Sequence, residues 1–72
     1  MTKNEQERLR IGQRIAALRT EARMTQRELG AKCGLQASHI NRIEKGRYSV
    51  GLDTLEAIGD ALGYTIDYIK RK

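Results

Sequence analysis

Residues 25–46 read TQRELGAKCGLQASHINRIEKG, and the fold follows from them. Thr25 is a helix-capping residue, and Glu28 stands three places on, where its side chain reaches back to the Thr25 N–H. This is the spacing of a capping box, which satisfies two orphan donors at once. Apolar residues fall at Leu29, Cys33, Leu35, Ile40 and Ile43. Leu29 and Cys33 are one helical turn apart, as are Ile40 and Ile43, so each of two short helices carries one narrow buried stripe. Gly34 lies between them, where a left-handed residue ends one helix and turns the chain. Gly30, inside the first of the pair, costs about 1 kcal/mol against Ala. Its reason is expected to be close contact, with the second helix crossing over a position that has no side chain.

The same periodicity extends outward. An earlier helix, capped by Asn4 with Glu7 at its third position and running to about Ala22, places Ile11, Ile15, Leu18 and Ala22 on one face. A fourth helix carries Leu52, Leu55, Ile58 and Leu62 and stops at Gly63; Thr65 then caps a short fifth helix with Ile66 and Ile69.

These residues resemble the helix-turn-helix of the Cro and lambda-repressor-like (XRE-type) family. The small residue at Gly30, the glycine at Gly34 and the apolar residues at 29, 33, 35, 40 and 43 carry the resemblance. The stretches IGQRIAALRTEARMTQ (residues 11–26) and LDTLEAIGDALGYTIDYI (residues 52–69) resemble the family's first helix and its last two. Residues 9–69 are covered. The implied fold is an all-α, compact five-helix domain with the helix-turn-helix formed by helices 2 and 3. Two departures stand out: Val50 where the family often has proline, and Gly51 where a serine or threonine cap is frequent. Both imply a looser loop at that point.

Composition narrows the classes. Seventy-two residues are expected to form a single domain, with a flexible start over about residues 1–4 and a basic tail at residues 70–72. With no Trp or Phe and three Tyr, aliphatic contacts must supply most of the core. No apolar run approaches the ~20 residues of a membrane span, and no signal peptide is visible. A single cysteine fits a reducing cytoplasm, and Cys33 reads as a small core residue. No second Cys or spaced His accompanies it, so no metal site or cofactor is expected. No paired carboxylates, phosphate loop or nucleophile–base arrangement is visible, so the chain is not expected to be an enzyme. The net charge of +5 is unevenly placed: residues 1–50 carry eleven Lys/Arg against five Asp/Glu, and residues 51–72 three against four. The front part is therefore the polyanion-facing part, and Asp53, Glu56, Asp60 and Asp67 face away.

The resemblance assigns roles position by position. The third helix would read base edges in the major groove through Ala37, Ser38 and Arg42. Arg42 is the leading candidate, because a guanidinium fork matches O6 and N7 of guanine. Asn41 fits either a base edge or the DNA backbone. Gln26 at the start of the second helix, Arg27 beside it, and Lys45, Arg47 and Tyr48 after the third helix are candidate backbone contacts. Tyr48 fits a phosphate bond or packing under the loop equally well. Arg8, Arg10 and Arg14 read as a solvated helix face, and His39 as an edge residue. In related repressors an arginine at the Arg19 position bonds a glutamate at the Glu44 position. Here the pair would tether the first helix to the third, or else be an exposed pair worth about 0–1 kcal/mol. The fifth helix would supply a two-fold contact through Ile66, Tyr68 and Ile69, with Tyr64 and Ile66 alternatively serving as core.

The implied function is that of a cytoplasmic, sequence-specific regulator of transcription, binding double-stranded DNA at a palindromic operator as a homodimer. Two alternatives belong to other settings: an antitoxin that binds a toxin and its own operator, or a restriction–modification controller.

Overall fold

Two threonines start the first two helices in the same way. In the computed structural model, which describes every residue except Tyr48, helix α1 spans Lys3–Glu21 and α2 spans Gln26–Cys33. The Thr2 hydroxyl accepts the Glu5 N–H at 3.1 Å, and Glu5 Oε1 accepts the Thr2 N–H at 2.8 Å. Thr25 and Glu28 repeat the exchange at 3.0 and 2.8 Å. The Thr25 N–H first, and its hydroxyl second, hold the Glu28 carboxyl below the usual carboxylate range. The first cap is therefore Thr2, and Asn4 lies inside the helix. Both positions have a glutamate three residues on, but the Glu7 carboxylate is taken by Arg10 at 2.8 Å and is not free to close a box at Asn4.

Helices α3 (Ala37–Glu44) and α4 (Leu52–Leu62) follow. Among the described residues the fold is thus all-α, with four helices and no strand. Gly34 sits in the left-handed region at φ 74° and turns the chain between α2 and α3. The Leu35 N–H returns to the Gly30 carbonyl at 2.8 Å. That bond draws the turn over Gly30, where a Cβ would strike the Leu35 carbonyl. The close approach at Gly30 is to this turn, not to a crossing helix.

The core is small and aliphatic. Ile15, Leu29, Ile40, Ile43 and Ile58 are buried, with Met24, Cys33, Leu35, Val50, Leu55, Ala61 and Leu62 packed around them. Several expected core residues are not in it: Ala22, the C-cap of α1, is exposed, and Leu18 is half-buried outside the cluster. Ile11 borders an open groove between α1 and the residues leading into α4, and Leu52, at the first position of α4, is 66% exposed. Burial also raises the Cys33 thiol above its ordinary value, as fits a packing residue.

Helix α1 meets α3 backbone to backbone at Gly12, which is buried. A Cβ there would collide with the Ile43 carbonyl and lie 2.6 Å from the Glu44 carbonyl. The same crossing is fastened by side chains. Arg19 donates from Nε to Glu44 Oε2 at 2.6 Å and from Nη2 to Oε1 at 3.1 Å, while its Nη1 holds the Met24 carbonyl at 2.8 Å. The hydrogen bond to Glu44 is the chief cause that raises the Arg19 pKa. Gln26 Nε2 adds a third bond to the carboxylate at 3.0 Å. The two partners' side chains are only 17% and 6% exposed, so this is not a solvated surface pair.

The expected fifth helix is absent: residues 64–72 contain no helix. Left-handed Gly63 ends α4, and the Tyr64 N–H closes the cap on the Gly59 carbonyl at 2.8 Å. The residues that follow include β-branched Thr65, Ile66 and Ile69, which lose rotamer freedom in a helix. Asp67 Oδ1 takes the Tyr68 N–H at 2.7 Å, a local bond that competes with helical pairing. A helix this short needs a packed face to offset nucleation, and Tyr68 and Ile69 touch almost nothing.

Two expectations follow. Gly12→Ala gains helix propensity but meets two backbone carbonyls, and overpacking should dominate, lowering stability by about 1–3 kcal/mol in urea unfolding. An unchanged or raised midpoint would mean that α1 and α3 separate without cost. Arg19→Met strands the buried Glu44 carboxylate and should cost about 3 kcal/mol, with the double variant Arg19→Met/Glu44→Met recovering part of the loss. A single-variant loss below about 0.5 kcal/mol would class the pair as a surface one.

Candidate nucleic-acid interface

Helix α3 exposes one side and commits the other. Ile40 and Ile43 enter the core and Glu44 enters the Arg19 pair, which leaves Ser38 and Arg42 exposed, with Ala37 and Asn41 half-buried at the margin. Lys45 follows the last helical residue and is exposed. The turn beyond is tied back by Gly46 N–H to the Ile43 carbonyl at 3.0 Å and Arg47 N–H to the Arg42 carbonyl at 3.0 Å. Those two bonds set exposed Arg47 beside the end of α3. Tyr48, a candidate backbone contact, lies outside the described residues.

The start of α2 lies against the same helix. The Thr25 hydroxyl satisfies the Glu28 N–H and the Thr25 carbonyl the Leu29 N–H, so among the described residues the Gln26 and Arg27 N–H groups stay open at the positive end of the helix. Arg27 is exposed; Gln26 is half-buried. Its amide bridges two elements, donating to Glu44 Oε1 and accepting from Asn41 Nδ2 at 3.4 Å. Gln26, Asn41, Glu44 and Arg19 are thus brought into one chain of hydrogen bonds. The candidate dimer residues Ile66, Tyr68 and Ile69 lie apart from it, exposed beyond α4.

The charge state of this surface is set by which groups are already engaged. Residues 25–47 contain two acids, Glu28 and Glu44; the first closes a cap and the second is buried in an ion pair. Arg27, Lys32, Arg42, Lys45 and Arg47 form no ion pair among the described residues. The acids are internally satisfied and the bases are left facing outward, an arrangement suited to a polyanion.

The sequence reading left out one exposed residue of this surface and one of the two uses of another. Gln36, at the N-cap of α3, makes no side-chain cap bond and is exposed at the mouth of the helix. The signal was there in the lack of Ser, Thr, Asp or Asn at that position. Asn41 was read as a DNA contact of either kind, whereas its half-buried amide also braces Gln26. Residue type alone does not distinguish these uses.

Known proteins share this arrangement in sequence. The pattern of the helix-turn-helix family matches residues 15–69. The immunity repressor protein of Bacillus phage phi105 is 44% identical over 59 residues, covering 82% of this chain and 41% of that protein. An uncharacterized HTH-type transcriptional regulator, y4dL, of Sinorhizobium fredii is 40% identical over 62 residues, covering 86% and 32% respectively. The control protein C.BamHI of Bacillus amyloliquefaciens is 39% identical over 57 residues, covering 78% of this chain and 70% of that protein. The chain spans less than half the length of the first two relatives and more than two thirds of the third. Because that pattern takes in residues 15–69, with α2, the Gly34 turn and α3 inside it, the chain belongs to the XRE-type helix-turn-helix family.

Proposed function

We propose that this chain is a sequence-specific transcriptional regulator of the cytoplasm, acting mainly as a repressor or autoregulator by occupying operator DNA. The observation that carries the reading is the asymmetry of α3: its acid is locked inward by Arg19 and Gln26, while Ser38, Arg42 and Lys45 face out. Arg42 reads guanine through its fork, Ser38 and Ala37 contact the adjoining base edges, and Asn41 reaches the margin of the groove. Exposed Gln36 adds a polar amide at the entry. Lys45 and Arg47 hold one strand's phosphates, and the open N–H groups of Gln26 and Arg27 hold a phosphate at the positive end of α2. Two copies on a palindrome would set their α3 helices about 34 Å apart, one helical turn of DNA.

A restriction–modification controller is the second reading. It is favoured by the coverage of the control protein C.BamHI, 70% of whose length this chain matches. Either role uses the same surface.

Selection of bound duplexes from a random pool, followed by footprinting, tests the function directly; recovery of no enriched sequence would sink it. On the selected site, Arg42→Ala should weaken binding about 10- to 100-fold while leaving affinity for unrelated DNA nearly unchanged. Equal losses on every duplex would move Arg42 to the phosphate class. Lys45→Ala and Arg47→Ala should each reduce the slope of log K against log salt by about one. A slope that does not move would place that side chain away from the backbone.

A further inference from the structure

The left-handed residues of this chain are not all glycine. Helices α2, α3 and α4 are each followed within two residues by a glycine at positive φ: Gly34 at 74°, Gly46 at 68° and Gly63 at 86°. Helix α1 ends differently. Past its C-cap, Ala22, the left-handed place is held by Arg23 at φ 59°, and no other non-glycine residue among those described has a positive φ. The bonds around it are those of a Schellman turn. The Arg23 N–H donates to the Thr20 carbonyl at 2.9 Å, and the Met24 N–H to the Arg19 carbonyl at 3.1 Å. Glycine is the usual residue there, because a Cβ crowds the following carbonyl oxygen. Arg23 holds the position against its own backbone preference.

Nothing inside the fold uses its side chain in return. Arg23 is exposed, and its guanidinium forms no hydrogen bond or ion pair among the described residues. Packing of the turn falls to Met24, which borders the core, while the last-turn cation Arg19 is directed inward onto Glu44 and the Met24 carbonyl. What distinguishes Arg23 is its place. Two residues on, Thr25 caps α2, and Gln26 and Arg27 begin the surface read above as facing a DNA phosphate. On the other side lies the carbonyl end of α1, with exposed Glu21 as its last residue, and both disfavour an anion. A cation between the two offsets that field and offers a phosphate a donor fork. The turn is also tied to the reading helix, since the guanidinium that holds the Met24 carbonyl holds Glu44 of α3 as well.

We propose that Arg23 clamps a DNA phosphate at the junction of α1 and α2, and that this contact is what an arginine does in a place suited to glycine. The inference rests on the regulator reading and adds to it a backbone contact from the turn ahead of α2. Its signature is an opposition, in which the substitution that suits the fold harms the binding.

Arg23→Gly, Arg23→Lys and Arg14→Gln in the full chain test the clamp. Urea unfolding should place Arg23→Gly at a higher midpoint than the wild type, because glycine takes a positive φ without strain. On a selected duplex, Arg23→Gly should weaken binding about three- to tenfold near 0.15 M salt and lower the slope of log K against log salt by about one. Unrelated duplexes should lose as much, since a phosphate contact carries no sequence information. Arg23→Lys should keep the slope, and so should Arg14→Gln, which removes an equal charge from the exposed side of α1. A slope unmoved by Arg23→Gly, or moved as far by Arg14→Gln, would overturn the clamp. A lowered urea midpoint for Arg23→Gly would overturn it too, by making the arginine a cation that serves the end of α1. A wild-type chain that binds no duplex removes the regulator reading and the clamp with it, whereas intact wild-type binding with an unmoved Arg23→Gly slope removes the clamp alone.

Discussion

A carboxylate almost closed off from water governs where the third helix lies. Burying a charge is costly unless it is paired and hydrogen-bonded, and Glu44 meets that condition with two bonds from Arg19 and one from Gln26. Helix α3 has little else to hold it. It has eight residues, no side-chain cap and no acid in its first turn. A helix of that length does not persist alone. Its orientation therefore comes from Ile40 and Ile43 on one flank and from this single buried ion pair at its end. Because Arg19 belongs to α1 and Gln26 to α2, one carboxylate fixes α3 against both neighbours.

Backbone proximity makes this possible with so few side chains. Five buried aliphatic residues form a thin core for four helices. Gly12 lets α1 settle onto the last carbonyls of α3, and the approach brings Arg19, two turns further along α1, within reach of Glu44. A larger residue at 12 would lift α1 away and lengthen the ion pair. The two features belong to one packing solution, one supplying closeness and the other direction.

The parts of this architecture that were legible in the sequence are those set by neighbours along the chain. The Thr25–Glu28 cap, the left-handed Gly34 and the paired apolar positions of α2 and α3 depend on spacings of three to five residues, and such spacings survive folding. The Arg19–Glu44 pair spans 25 positions and was reachable only through family resemblance. Gly12 gave no signal, since a glycine within an amphipathic helix reads as a small cost unless its tertiary neighbour is known. The choice of Thr2 over Asn4 turned on competition, because Glu7 had a better partner in Arg10. The fifth helix was misread because a helical spacing of Ile66 and Ile69 was counted without asking what those side chains would be buried against.

The outward side of α3 is joined to the interior by a slender link. Asn41 ties the outward side of α3 to the internal network, and its bond to Gln26, at 3.4 Å, is the longest member described. Among the described residues, Ser38 and Arg42 have no such connection. Substitution at positions 38 and 42 therefore changes the outward side of α3 while the helices beneath stay in place, so the chemistry of that face varies without a matching loss of foldedness.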